Sequence, residues 1–296
     1  MSVIILTRDE ELHLRTCVES LADLHAQIFV VDSGSSDRTQ EIARELGCEV
    51  YQHPFESQAA QLNWAIDNLP VQAIWLLRMD ADEWLTPQLA AEIAATLPLA
   101  APDVAAFVMK RRVYFWGRWI RHGGYYPIWL MRLWRAGSAR SEQRWMDEHL
   151  ILTAPGKILQ LNEDFVDENR KGLGFWTDKH NRYADREVKD TLSESSSDPR
   201  PAGQMGFRRW AKGNVYGRMP LFLRAFCYWF YRYFILFGFL DGRPGFVFHF
   251  LQAFWYRMLI DAKIYESTLQ NATNDTGQAS SPLRNSRRRS SPRRGS

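Results

Sequence analysis

Three short apolar runs constrain this chain more than anything else in it. SVIILT (2–7), QIFVVD (27–32) and AIWLLRM (73–79) end on, or run straight into, a hydroxyl or carboxylate: Thr7, Asp32 and Asp80. Runs this short, bounded by polar turns, read as buried strands. The segments between them have helical spacing. Residues 9–22 set Leu14, Val18 and Leu21 on one face, and a helix capped by Ser36 turns Ile42 and Leu46 inward before stopping at Gly47. Ser57 opens a helix with Leu62, Ile66 and Leu69 on one side, ended by Pro70; Thr86-Pro87 opens another. Residues 48–52 and 104–110 supply two further strands. Strands and helices alternating over short connections predict an α/β fold: a mainly parallel sheet with helices on both faces. Ligands of such sheets bind beyond the carboxyl ends of the strands. Thr7, Asp32 and Asp80 are therefore expected on one crevice.

The 296 residues allow one large domain, or one domain with an appendage. Formal net charge is +3, yet the last 26 residues hold six arginines against one aspartate, so the remainder carries a net charge of −2. The basic character sits in the tail, and no nucleic-acid partner is expected of the fold. Cys17, Cys48 and Cys227 are too scattered for a metal site or a disulfide framework and fit a reducing compartment. The first residues lack the basic and long apolar stretches of a secretory signal. Residues 191–206 read as a linker, and 271–296, rich in Asn, Ser, Pro and Arg, as a disordered basic tail.

The chemistry centres on Asp80-Ala81-Asp82-Glu83. In extended chain, residues i and i+2 point the same way, so Asp80 and Asp82 face one ligand. Magnesium or manganese prefers oxygen ligands and often takes one or two carboxylates plus substrate phosphates. Asp80 and Asp82 are the expected metal ligands, with Glu83 assigned to the turn before the Thr86-capped helix. The alternative is a solvated turn.

SVIILTRDEE, then VVDSGSSDRTQEIA, then LLRMDADEWLTPQL, resembles the family 2 glycosyltransferases with the GT-A (Rossmann-like) fold over roughly residues 2–150. Arg8-Asp9 departs from the pair the family often carries in the first loop. The resemblance implies an enzyme using a nucleotide-sugar donor, most readily a UDP-sugar, with Mn2+ or Mg2+. It implies that Asp32 contacts the base or ribose, that Thr7 and Glu10 line the same pocket, and that Asp80 lies near ribose and diphosphate with Asp82 on the metal. Gln61 and Asn63 match donor-side polar positions; a hydrated helix face is the other reading.

Inverting transfer also needs a base for the acceptor hydroxyl. RWMDEHL (144–150) offers Glu148, matching the second acidic position of a family motif, with Asp147 beside it and His149 next. The run 121–140 supplies an acceptor side: His122, Tyr125, Tyr126 and Arg132, with Arg135 and Arg140 also candidates for phosphate or acidic sugar. The resemblance there is to transferases of bacterial lipopolysaccharide core and exopolysaccharide. On 178–187, Lys179 and Arg182 share a helix face and are candidates to cover the donor diphosphate.

Residues 219–240 and 245–260 are aromatic and Arg-bearing, with no charge-free run near the ~20 residues of a membrane span. This predicts a C-terminal aromatic helical segment (207–270) in the membrane interface, at the inner face of the cytoplasmic membrane, serving a lipid-linked or oligosaccharide acceptor. A homodimer interface or packing on the catalytic domain (1–190; donor half 1–110, acceptor half 111–190) are the alternatives. Two other functions compete: a metal-dependent nucleotidyltransferase, which wants a Gly-rich basic phosphate loop where this chain has acidic Thr7-Arg8-Asp9-Glu10-Glu11, and an inactive membrane-docked scaffold, which predicts missing carboxylates.

Overall fold

The computed structural model describes residues 1–142, 149–193 and 219–279. Its centre is a nine-stranded sheet. Strands β1 (Ser2–Thr7), β2 (Gln27–Asp32), β3 (Glu49–Gln52) and β4 (Trp75–Asp80) form a parallel half in the order β3-β2-β1-β4. Beyond β4 come β8 (Ile128–Arg135), β6 (Val104–Phe115), β11 (Lys157–Asp167) and β5 (Glu83–Leu85), with β7 (Arg118–Trp119) paired to β6. Here the pairing is mixed: β8 runs antiparallel to both β4 and β6, while β6 and β11 are parallel. The strand at 104–110 thus exists but is separated from β4 by β8, and it runs on to Phe115. A small ribbon, β9 (Ala139–Ser141) with β10 (Leu150–Leu152), lies apart.

Two cores sandwich the sheet, as alternate residues of each strand require. Val3, Ile5, Val30, Leu77 and Met79 face α1 (Leu14–Glu19), α2 (Thr39–Glu45) and α4 (Pro87–Thr96). Ile4, Leu6, Phe29, Val31 and Leu76 face α3 (Gln58–Asn68). The expected caps of the last two helices are present: Ser57 accepts from the Ala60 amide and Thr86 from the Leu89 amide, each contributing about 1 kcal/mol.

The first two helices are shorter than their periodicity predicts, because the loops before them cap one another. Asp9 is left-handed (φ 54°) and its carboxylate accepts from the Ser36 amide at 2.7 Å. The Glu10 amide donates to Thr39 Oγ1 (2.7 Å) and the Glu11 amide to Asp37 (3.0 Å). Ser36 therefore joins the loops rather than capping α2, whose first amide, that of Thr39, donates to Asp37 at 2.9 Å.

The C-terminal helices pack on the preceding part of the chain. α5 (Gly172–Ser193) meets α8 (Tyr256–Ala279) through Ala184, Val188, Tyr256 and Ile260. Before α8 stand α6 (Leu223–Phe230) and α7 (Gly242–His249), each continued by a π-helical turn, 231–235 and 250–255. Asp261, fully buried, ties α6 to α8 by accepting from the Phe222 amide and the Arg224 guanidinium. The aromatic segment is thus no free appendage: the packing alternative describes its inner face. α5 runs past residue 191 and α8 past 271, so both helices extend beyond the boundaries expected from composition; most of the linker and of the tail lies outside the described residues.

Candidate active site

The strand-end rule holds for the donor half. Thr7 and Asp32 pair across β1 and β2, and Thr7 Oγ1 donates to Asp32 at 3.0 Å. Asp32 is wholly buried. Burial works against its ionisation, yet hydrogen bonds from the Ser35 hydroxyl and amide, Thr7 and Gln40 hold its carboxyl below the ordinary range. It also accepts from the Gly34 amide at 3.1 Å, so it fixes the loop after β2. Gln61, 2% exposed, reaches the Val31 carbonyl and Ser33 hydroxyl, both at 3.1 Å. Asn63 clasps Ser141 of β9, donating to its carbonyl and accepting from its amide, both at 2.9 Å. Gln61 and Asn63 are thus neither a hydrated face nor turned outward; their amides hold the backbone around the crevice. Glu10 bridges His13 (2.7 Å) and Lys171 (2.6 Å), linking the first loop to the loop after β11.

Asp80 and Asp82 part company. Asp80 is flanked by Arg78 and Arg132, each at 3.2 Å, and accepts from Gln58 at 3.3 Å. Burial opposes its charge, but the two guanidinium groups hold its carboxyl well below the usual carboxylate range. Its carboxylate faces arginines, so Asp80 organises the cluster. Arg132 is accordingly not on the acceptor side. It is buried between Asp80 and Glu83. Glu83 is not in a turn: it opens β5, is 2% exposed, and accepts from Arg132 and from the Asp80 amide. Burial pushes its carboxyl up to about 8, Arg132 opposing and Asp80 and Asp167 adding to the rise.

Asp82 is half-buried, and its carboxylate accepts from Asn169 at 3.0 Å while its carbonyl accepts from the Glu168 amide at 3.0 Å. Asp167 ends β11 beside it. Burial raises the Asp167 carboxyl to about 6; Arg111 at 3.3 Å opposes this, and the charges of Asp82 and Asp80 reinforce it. Lys179 lies within the field of Asp82, Asp167 and Asp80, which with Tyr183 raises its pKa against the effect of burial. Among the described residues no group of three or more His, Cys, Asp and Glu converges as a metal cage. One carboxylate with an oxygen to spare, in a patch crowded enough to lift a neighbouring acid, suits a divalent cation whose remaining ligands are phosphate oxygens and water. The residues fit such an ion, which Asp82 would hold.

The acceptor-side aromatics face inward. His122 binds Asp241 through its ring (2.6 Å) and its amide (3.0 Å). Tyr125 lies under the Arg232 guanidinium at 3.9 Å and edge-on to Phe248. Tyr126 donates to buried Asp164 at 3.0 Å. Arg135 is bound to backbone carbonyls of 100, 101 and 104, and Arg140 to Asp67. These side chains are all engaged by contacts within the fold. Asp147 and Glu148 lie outside the described residues. Their stem does not: the Glu142 amide donates to the His149 carbonyl at 2.9 Å, and Ser141 is held by Asn63 of α3, whose Gln58 touches Asp80.

Arg78, Asp167 and Asn169 escaped the sequence reading. A signal existed for each. Arg78 stands two residues before Asp80 on the same face of an apolar strand, and FVDEN is another apolar run ending in polar groups.

Residues 2–165 match the profile described as glycosyl transferase family 2. An uncharacterized glycosyltransferase of Rickettsia typhi is 33% identical over 93 residues, 31% of this chain and 31% of that protein. The succinoglycan biosynthesis protein ExoA of Rhizobium meliloti is 33% identical over 88 residues, 27% of each chain. The chain thus matches about a third or less of the length of these curated relatives. Among solved structures, S. aureus TarS 1-349 in complex with UDP-GlcNAc aligns over 91% of both chains at 12% identity, TM-score 0.46. Glucosyl-3-phosphoglycerate synthase from Mycobacterium tuberculosis, in complex with Mn2+, UDP and product, aligns over 38% of this chain and 43% of that one at 19% identity, TM-score 0.32. The profile spans more than half of the sequence and coincides with the strand-end site, so the chain belongs to glycosyl transferase family 2.

Proposed function

We propose that the protein transfers a sugar, with inversion, from a UDP-sugar to a lipid-linked or oligosaccharide acceptor in cell-surface polysaccharide synthesis. The observation that carries this reading is the Asp80–Asp82–Asp167 cluster at the ends of β4 and β11, interleaved with Arg78, Arg132 and Lys179. A leaving diphosphate needs fixed positive charge around it and one place for a cation. Asp82 would hold a divalent ion, and such an ion would supply charge neutralisation to the diphosphate. Lys179, close to the same carboxylates, adds a protein cation on that side. The acceptor oxygen bonds to the anomeric carbon as the bond to the diphosphate breaks, and the hydroxyl proton passes to Glu148 or Asp147. Asn63 and the Glu142–His149 pair position that acidic segment by holding its stem. The short match to a protein named for succinoglycan biosynthesis favours an exopolysaccharide product.

The membrane belongs to the same proposal. Phe226, Phe230, Phe234, Phe237, Phe239 and Phe246 are between 42% and 56% exposed, an apolar surface of the kind that meets lipid. No single helix among the described residues is long and apolar enough to cross a bilayer; Leu223–Ile235 and Gly238–Gln270, bent by 70°, meet that test only as a pair. The band therefore docks in the interface at the inner face of the cytoplasmic membrane and brings the site to its acceptor.

Calorimetric titration of UDP, GDP and ADP with and without Mn2+ tests the donor. Metal-dependent binding of UDP is expected; its absence sinks the reading. Glu148→Gln and Asp147→Asn test the base: one of them should keep UDP binding and lose transfer. Flotation of the full chain with phosphatidylglycerol vesicles, against Phe230→Glu/Phe234→Glu, tests the membrane. Equal flotation removes that part alone.

A further inference from the structure

Beside Asp82, on the side away from Asp32, lies a cavity of about 290 Å³. Phe115, Trp116, Glu168, Asn169, Arg170 and Trp176 are among the residues that line it. Asn169 is also the group that binds the Asp82 carboxylate, so the cavity and the metal-ligand residue share a wall. Asp32 ends β2, whereas this cavity sits at the ends of β6 and β11, four and five places further along the sheet order. At about 4.8 Å per strand that separation is roughly 20 Å. The base and ribose of a donor running from Asp32 to Asp82 therefore stay clear of this cavity.

The walls specify what it takes. Trp116 and Gly117 join β6 to β7 as a two-residue hairpin, and both are left-handed, with φ of 52° and 71°. Such turns favour Asn, Asp or Gly at the first central position; a bulky side chain there is strained. The strained position presents an indole that is 57% exposed and stacked on Phe115, with centroids 4.7 Å apart. The Glu168 carboxylate accepts from the Gly117 amide at 3.1 Å, fixing this turn against the loop after β11. Trp176, from α5, is braced by His180, stacked at 3.5 Å. Flat aromatic faces with a carboxylate and an amide at the edge suit a pyranose ring: its C–H face lies on indole while its hydroxyls meet polar groups. The volume is near the lower limit for ligand pockets, room for a single sugar unit.

We infer that this cavity is the acceptor subsite, that it binds the terminal sugar of a saccharide acceptor, and that Trp116 is its specificity-determining platform. The inference rests on the glycosyltransferase reading and gives the acceptor a place. It is tested by saturation-transfer NMR on the full chain with UDP and Mn2+ present, using the methyl glycosides of glucose, galactose, mannose and N-acetylglucosamine as probes. At least one should receive saturation from the wild type. Trp116→Ala should weaken that signal at least threefold, and Trp116→Phe should restore most of it. UDP affinity, measured by calorimetry on the same samples, should stay within twofold, and the melting temperature reports that Trp116→Ala is folded. Three results overturn the inference: no glycoside signal in the wild type, an unchanged signal in Trp116→Ala, or displacement of the glycoside by UDP-glucose, which assigns the cavity to the donor's own sugar. Each leaves UDP binding, and hence the enzyme class, standing; loss of UDP binding in the wild type is the separate failure of the class.

Discussion

The parallel half of the sheet, β3-β2-β1-β4, and the mixed half beyond β4 are built by different means. In the parallel half, the polar residues that end β1 and β2 are held by the neighbouring strand and loop: Thr7 by Asp32 and Asp32 by the turn that follows it, with Asp9 of the next loop held by Ser36. Beyond β4, polar and aromatic groups are held by chain far away in sequence: His122 by Asp241 and Tyr125 by Arg232. Parallel βαβ connections confine the first set to short loops, whereas antiparallel β8 and the returning C-terminal helices bring remote residues to the second. The parallel half is therefore a preformed cradle and the mixed half an assembly.

If the cradle carries the chemistry, its largest single effect is at Asp82. Asp82→Ala should lower transfer by two to three orders of magnitude, about 3–4 kcal/mol of transition-state stabilisation, and abolish the metal dependence of UDP binding in calorimetry. Next is the link between the halves. Arg132→Leu leaves Asp80 and Glu83 buried without their shared cation and should destabilise the fold by about 3 kcal/mol, read as the midpoint of urea unfolding. Asn63→Ala removes two buried hydrogen bonds to Ser141. It should cost about 2 kcal/mol and slow transfer while sparing UDP affinity; unchanged turnover would mean that the β9–β10 stem does not position the base.

The assembly has its own pH signature. His180 is kept neutral, its pKa lowered to about 4 by burial against Trp176 and Tyr256, with Lys179 adding to the effect. An unfolded histidine takes its proton near 6.5, so between 6.5 and 4 the unfolded state binds more protons and stability falls as pH falls. The effect is on the order of 1–3 kcal/mol, and His180→Phe should flatten that part of the melting-temperature profile. The smallest expected effect is at the rim. Arg140 and Asp67 form an ion pair with both side chains more than 40% exposed, so Arg140→Ala should change stability by less than about 1 kcal/mol.

How much of this was legible follows from the same contrast. β1 and β2 match their sequence ranges residue for residue, and the Ser57 and Thr86 caps are where turn chemistry places them, because each depends on neighbours within a few positions. The lengths of α1 and α2 were not legible: the loops that shorten them cap each other across some 27 residues. Arg132 looked like an acceptor-side cation because its partners, Asp80 and Glu83, stand about fifty residues earlier, on β4 and β5. Gln61 and Asn63 were recognisable as polar positions on α3, but which backbone groups they meet is decided by tertiary packing alone. The packing of the C-terminal helices on the 121–127 loop had the same cause, and it left the expectation of an appendage only half right in structural terms.

That packing closes around His249, which is fully buried between two glycines. A side-chain carbon on Gly123 would fall 2.1 Å from its ring, and one on Gly238 would fall 2.7 Å from it. Gly123 in turn donates to the Leu236 carbonyl and accepts from Arg232. Loop and hairpin thus fit as lock parts cut to one another. Transplanting residues 121–127 between relatives should fail to fold unless 232–249 travels with them: the two segments, more than a hundred residues apart, are exchanged together or not at all.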